Sequence, residues 1–109
     1  MNPQRVVTQS MQMFCDPRVR AWTLQRAAGC CELCNLPAPF LHDGGQTYLE
    51  SHHIVTLAAG GPDTPENTAA VCSNCDRELH MGAGRQAKTE RLRAAVAEGV
   101  SIWESFPGW

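Results

Sequence analysis

Two matched pairs of cysteines, Cys31-x-x-Cys34 and Cys72-x-x-Cys75, are the first residues in this chain whose type and spacing could do chemistry. A two-residue spacer lets one tight turn present both sulfurs to a single ion. Two such turns complete a tetrahedron of thiolates around zinc, with bonds of about 2.3 Å. An ion held this way contributes directly to folding free energy. The competing assignments are two disulfides or four buried free thiols. The chain opens without the basic start and apolar run of an export signal, so a reducing compartment, the cytoplasm, is expected, and metal is favoured over disulfide. Structural Zn²⁺ on Cys31, Cys34, Cys72 and Cys75 is the expectation. Cys30 is one residue away from the two-residue spacing and Cys15 has no partner at motif spacing, so both are read as bystanders.

Thirty-seven residues separate Cys34 from Cys72, so a substantial element must lie between the knuckles. It contains His52 and His53, adjacent on a stretch with strand character, while Asp76 and His80 follow the second knuckle four residues apart. Helix positions i and i+4 share a face, so Asp76 and His80 can grip one ion together. Strand alternation puts Glu50 and His52 on one side and His53 on the other unless the strand ends there. One histidine can then ligate while its neighbour stays free to act as a base. Alone, His-His reads as a surface pair and Asp-x-x-x-His as a solvated helix face. Together, inside a four-cysteine frame, they point to a second metal site. Glu50 could orient His52 or serve as a fourth ligand, or it is a solvated strand glutamate. His42, in a loop with proline and glycine, is given no role.

The run LESHHIVTLAAGGPDTPENTAAVCSNCDRELH, preceded by CELC, resembles the HNH endonucleases, especially the four-cysteine branch common in bacterial restriction and phage proteins. The resemblance covers about residues 18 to 82. It implies an α+β domain in which a β-hairpin and a helix (the ββα-metal arrangement) clasp one catalytic divalent metal, with flanking helices. It also implies His53 as general base, His52 as metal ligand beside Asp76 and His80, and Asn67 as the residue that holds the loop so that the base strand keeps its orientation. The implied substrate is DNA, double-stranded, cut to a 5′-phosphate and a 3′-hydroxyl. One departure stands out: the family usually has histidine directly after the second Cys-x-x-Cys, where this chain has Asp76. A carboxylate changes reach, charge and metal preference, favouring Mg²⁺ or Mn²⁺ while leaving Ni²⁺ or Zn²⁺ open. The alternative is a catalytically impaired zinc module of the same fold that binds DNA or protein. Arg77, beside the metal helix, could contact phosphate or be a solvated arginine.

The elements needed to position these groups can be read in outline. Residues 1–15 show no periodicity and are expected to be an arm or linker, followed by one domain over 16–109 with its core at 18–82. Asp16-Pro17 is a helix start, with a capping side chain ahead of proline at the first helical position. Val19, Trp22, Leu24, Ala27 and Ala28 supply the apolar stripe and Gly29 the stop. Thr47 to Val55 reads as a strand and Asn67 to Val71 as its return, with the Gly60-Gly61-Pro62-Asp63 loop between them. Ser73 or Asn74 is expected to cap a helix running to about Met81. A last helix near Gln86 to Glu98 would bury Leu92, Ala95 and Val96, and an aromatic tail carries Ile102, Trp103, Phe106 and Trp109.

Hydrophobic residues make up 43% of the chain, and many are alanine, so a metal should share the work of holding so short a chain together. Nine basic against eleven acidic residues give a formal charge of −2, which lacks the basic excess of a tight nucleic-acid binder. Basic residues do cluster, with Arg18, Arg20 and Arg26 on the first helix and Arg85, Lys88, Arg91 and Arg93 on the last. Salt-sensitive DNA binding, aided by a fused or separate specificity partner, is the expectation. No stretch approaches the roughly 20 apolar residues of a membrane helix, so no membrane partner is expected.

Overall fold

The computed structural model describes residues 16–104, with side chains described through residue 100. Among them are three helices and one two-stranded antiparallel sheet. Helix α1 (Pro17–Ala27) leads to the first cysteine pair and a long loop. Strands β1 (Glu50–His53) and β2 (Thr68–Val71) are joined by a loop with two 3₁₀ turns, Leu57–Ala59 and Pro65–Asn67. Helices α2 (Ser73–Met81) and α3 (Arg85–Glu104) follow. The fold is therefore α+β, with hairpin and helix in the expected order. The arm over residues 1–15, Cys15, the side chains of Ile102 and Trp103, and the tail with Phe106 and Trp109 lie outside the described residues.

At the start of α1 the Asp16 carboxylate accepts from the Arg18 backbone N–H at 2.9 Å, ahead of Pro17 in the first turn. The helix ends because Ala28 and Gly29 both take left-handed φ values, 54° and 85°. Ala28, predicted to lie on the buried stripe, is instead this exposed cap. Thr23 takes the buried place, its hydroxyl satisfied by the Val19 carbonyl at 2.7 Å.

The strand ladder is shorter than predicted, pairing Glu50 with Val71 through His53 with Thr68. Upstream, Tyr48 stacks on Phe40 with ring centroids 4.5 Å apart, and Thr47 makes only an isolated bridge with Leu41. Downstream, the Asn67 side chain takes the Val55 N–H that a strand partner would have used. Asn67 itself closes a 3₁₀ turn, so β2 begins one residue later than expected. Every residue of β2 is buried, and its Thr-Ala-Ala-Val sequence lets α1 and α3 pack against it.

Cys72, not Ser73 or Asn74, occupies the cap position of α2, and no side chain bonds there. Helix α3 runs longer than predicted, and its buried stripe is Leu92, Val96 and Val100 at four-residue spacing. Ala95 falls off that face and is exposed. These residues join Leu33, Leu49, Ile54, Val71 and Leu79 in one core that also contains Cys31 and Cys75.

Arg26, expected in the basic cluster on the first helix, has a buried side chain. Its guanidinium meets Glu32 through two bonds of 2.7 and 2.8 Å and also donates to the carbonyls of Pro65 and Thr68. Glu32 in turn pairs with Ala70 twice: its carboxylate accepts from Ala70 N–H and its own N–H donates to Ala70 C=O, both at 2.9 Å. A residue inside the first knuckle thus satisfies the outer edge of β2, and Arg26 neutralises it.

Candidate metal centre and active site

The four knuckle cysteines converge, with one sulfur from each of Cys31, Cys34, Cys72 and Cys75 within 4.8 Å of the others. All four are free thiols, which excludes the disulfide pairing in this structure. Burial raises the Cys31 thiol, but backbone N–H groups of Cys34, Cys72 and Leu33 aimed at its sulfur outweigh that and bring it down to about 7. The Leu33 and Cys34 amides each lie 3.4 Å from the sulfur. Burial pushes the Cys34 and Cys75 thiols up. Four crowded sulfurs, one stabilised as thiolate, form a donor set suited to a soft tetrahedral cation such as zinc. The first pair follows α1 and the second starts α2, so an ion here would fasten α2 to the rest of the fold.

A second convergence joins β1 to α2. His52 Nδ1 lies 3.2 Å from Asp76 Oδ1, and His80 Nε2 lies 3.5 Å from the same oxygen. The two imidazoles meet edge to face with centroids 4.9 Å apart. One ligand atom from each of the three residues falls within 4.8 Å of the others, so the group could hold a metal ion. Burial holds the His52 imidazole below its ordinary value of 6.5, against the raising influence of Asp76. That keeps it neutral, the form a metal ligand requires. His52 is buried and His80 is half-exposed, so the group opens to solvent on the His80 side. It borders a cleft of about 200 Å³ lined by Ser51, His52, His53, Thr56, Leu57, Ala58 and His80.

His53 turns away from this group. Its Nε2 lies 2.7 Å from Asp63 Oδ1, with both side chains largely buried at 13% and 12% exposure. Asp63 Oδ2 also accepts the backbone N–H of Asp16 at the start of α1. Asn67 fixes the loop between them: its amide donates to the carbonyls of Val55 and Pro62 at 2.9 and 2.8 Å, and its oxygen accepts the Val55 N–H at 2.9 Å. Gly61 completes the approach, since a Cβ there would stand 1.9 Å from the Val55 carbonyl oxygen.

Glu50 lies on β1, but its carboxylate accepts from the Tyr48 hydroxyl at 3.1 Å and is not among the three converging groups. Arg77 is exposed on α2. His42 packs at the edge of the Phe40–Tyr48 stack. Of the predicted basic clusters, Arg20 reaches the cleft, its Nη1 donating to Ser51 Oγ at 2.5 Å. On α3, Lys88 pairs with Glu78 and Arg93 with Glu90. Sequence reasoning missed Asp63, Arg26 and Glu32 as structural partners. A buried acid was detectable only as one charged residue in a loop of glycine and proline.

The HNH endonuclease family model matches residues 31–82, from the first cysteine pair to the end of α2. A two-stranded hairpin and a helix, bringing a thiol cluster and a His/Asp cluster together, define the class: the chain carries an HNH endonuclease domain. It is 47% identical over 77 residues to the type IV methyl-directed restriction enzyme EcoKMcrA of Escherichia coli K12, an alignment that takes in 71% of this chain and 28% of that protein. Among solved structures it resembles the type IV phosphorothioation-dependent restriction endonuclease ScoMcrA, with a TM-score of 0.72 and 31% identity over 81% of this chain and 17% of that one. The chain spans well under a third of the length of either relative.

Proposed function

We propose that this chain is a DNA endonuclease that hydrolyses phosphodiester bonds with a single catalytic divalent metal and a histidine general base. The observation that carries the reading is the division of labour between adjacent histidines. His52 faces Asp76 and His80, whereas His53 is held by Asp63 outside that group. His52, Asp76 and His80 would hold the catalytic metal. When bound, it supplies Lewis-acid neutralisation of charge at the scissile phosphate and the leaving oxygen. His53 accepts the proton of the attacking water, and Asn67 keeps the loop around it in place. The products are a 5′-phosphate and a 3′-hydroxyl. Two imidazoles and one carboxylate make a fairly hard donor set, so Mg²⁺ or Mn²⁺ is favoured, with Ni²⁺ or Zn²⁺ as softer occupants. Structural Zn²⁺ belongs to the four cysteines.

The substrate is double-stranded DNA and the compartment the cytoplasm. The two relatives are directed by different marks, methylation and phosphorothioation, yet both share this segment. The segment accordingly supplies cleavage, and a fused or separate partner supplies choice of site. Arg20, beside the cleft, and Arg77, exposed on α2, would meet phosphate. The second reading, a zinc module that binds DNA or protein without cutting it, draws on Asp76 in place of the family's usual histidine.

Nicking of supercoiled plasmid across Mg²⁺, Mn²⁺, Ni²⁺ and Zn²⁺ tests the proposal, with His53→Ala as control. Nicking that falls by about 10²–10⁴-fold in the variant, with metal content unchanged, supports it. A wild-type chain inert with every metal leaves the binding-module reading standing instead.

A further inference from the structure

Strand alternation turns adjacent histidines to opposite faces but does not fix their rings, because each ring has two nitrogens and can rotate. The His52 ring is held by burial beside Asp76. His53 is held by a carboxylate that arrives from the opposite end of the hairpin loop. Asp63 lies 2.7 Å from His53 Nε2 and is itself tied to the first turn of α1 by the backbone N–H of Asp16. Asn67 grips the residue just before Asp63 and a residue two beyond His53, so the two side chains meet at a fixed separation. Both are nearly buried, which keeps water from competing for the bond.

We infer that Asp63 is the positioning residue for His53, fixing its imidazole in the Nε2–H tautomer so that Nδ1 keeps a free lone pair. A carboxylate only accepts hydrogen bonds, so the proton between the two residues sits on Nε2. Neutral imidazole carries one ring proton, so Nδ1 is the nitrogen able to take a proton from water. With Nε2 engaged, His53 is also withheld from the metal group, which gives the division of labour a cause. This inference rests on the proposed role of His53 as base.

Asp63→Asn is the informative variant because it is nearly isosteric. The Asp16 N–H needs an acceptor, so the amide oxygen should take the Oδ2 place and the amide NH₂ should face His53. An NH₂ facing Nε2 donates to it and moves the ring proton to Nδ1. Long-range ¹H–¹⁵N correlation spectra of the histidine rings, recorded on the full zinc-loaded chain, should show His53 as Nε2–H in the wild type and Nδ1–H in Asp63→Asn. Plasmid nicking should fall by about 10²-fold or more in kcat. KM for plasmid and the metal concentration at half-maximal activity should be unchanged. In a His53→Ala background, Asp63→Asn should cost nothing further.

A wild-type ring protonated at Nδ1, or a ring that stays Nε2–H in the variant, overturns the inference. So does a switched ring with normal kcat, or a full additional loss in the His53→Ala background. A wild-type chain that nicks no DNA overturns the nuclease reading instead, and the ring spectra, which need no turnover, still decide the role of Asp63.

Discussion

A carboxylate set between two imidazoles, Asp76 within 3.2 Å of His52 and 3.5 Å of His80, makes a harder donor set than three imidazoles would. Asp76→Ala should therefore abolish nicking and weaken the catalytic metal. Asp76→His should keep the site but shift preference from Mg²⁺ or Mn²⁺ toward Ni²⁺ or Zn²⁺. Nicking against metal concentration for the three proteins checks this, and an alanine variant that cuts normally refutes the ligand assignment. His52 adds a pH dependence. Burial lowers its folded pKa below 6.5 despite the nearby carboxylate, so the unfolded chain binds the proton more tightly. The stability it contributes is fully present above 6.5 and is lost as pH falls through the folded value. Metal binding by a neutral ring weakens over the same range. Denaturant midpoints measured between about pH 8 and about pH 5 should fall with pH in the wild type and less steeply in His52→Asn; equal slopes would count against the assignment. The convergence of the knuckle cysteines, and that of His52 with Asp76 and His80, were legible in the sequence because residue type and spacing mark groups that can meet around one ion. Asp63 was not, because its meeting with His53 depends on the path of a loop with no periodicity.

Elements were legible where a local rule decides them and illegible where a distant side chain does. The Asp16-Pro17 start of α1 and the hairpin-then-helix order follow from capping and propensity. The true ends of β1 do not, because they are set by Tyr48 stacking on Phe40 and by the Asn67 side chain replacing a strand partner. The same holds for α1, whose arginines suggested a DNA-facing surface. Arg26 instead spans from α1 to the first knuckle and the β2 edge, at 2% side-chain exposure against 9% for Glu32. Breaking a buried pair by removing one partner strands the other charge, at a cost of about 3–5 kcal/mol. Arg26→Ala should therefore lower stability by about that amount, read as a shift in denaturant midpoint with zinc retained. A loss under about 1 kcal/mol, the range of a surface ion pair, would mean that Glu32 finds another partner. Arg20 stands on the same helix, but its bond to Ser51 places it at the cleft, so one helix supplies both a structural cation and one beside the cleft.

At the scale of the whole chain, a core dominated by alanine, leucine and valine side chains shares its centre with a thiol cluster, since Cys31 and Cys75 are core residues. Metal loss should therefore unfold the domain: a strong chelator should remove the helical circular-dichroism signal along with the zinc, and a native spectrum from a zinc-free sample would refute the structural role. The composition also bears on choice of DNA. With a formal charge of −2, and with Arg18, Arg26, Lys88 and Arg93 among the described residues paired to carboxylates, the chain lacks a basic excess to meet phosphates, and binding should be weak. Reading a mark takes a pocket shaped to a methyl group on a base or to a sulfur on a backbone phosphate, and one methyl in such a pocket is worth about 1–3 kcal/mol. Methyl-directed and phosphorothioation-dependent relatives cannot share one such pocket, yet both share this segment. The chain alone should therefore nick unmodified, methylated and phosphorothioated plasmids of one sequence at rates within about threefold of each other, less than the smallest such pocket would produce. A preference above about tenfold for one mark, retained in a competition between plasmids, would place recognition inside this chain and refute the separation of cutting from choosing.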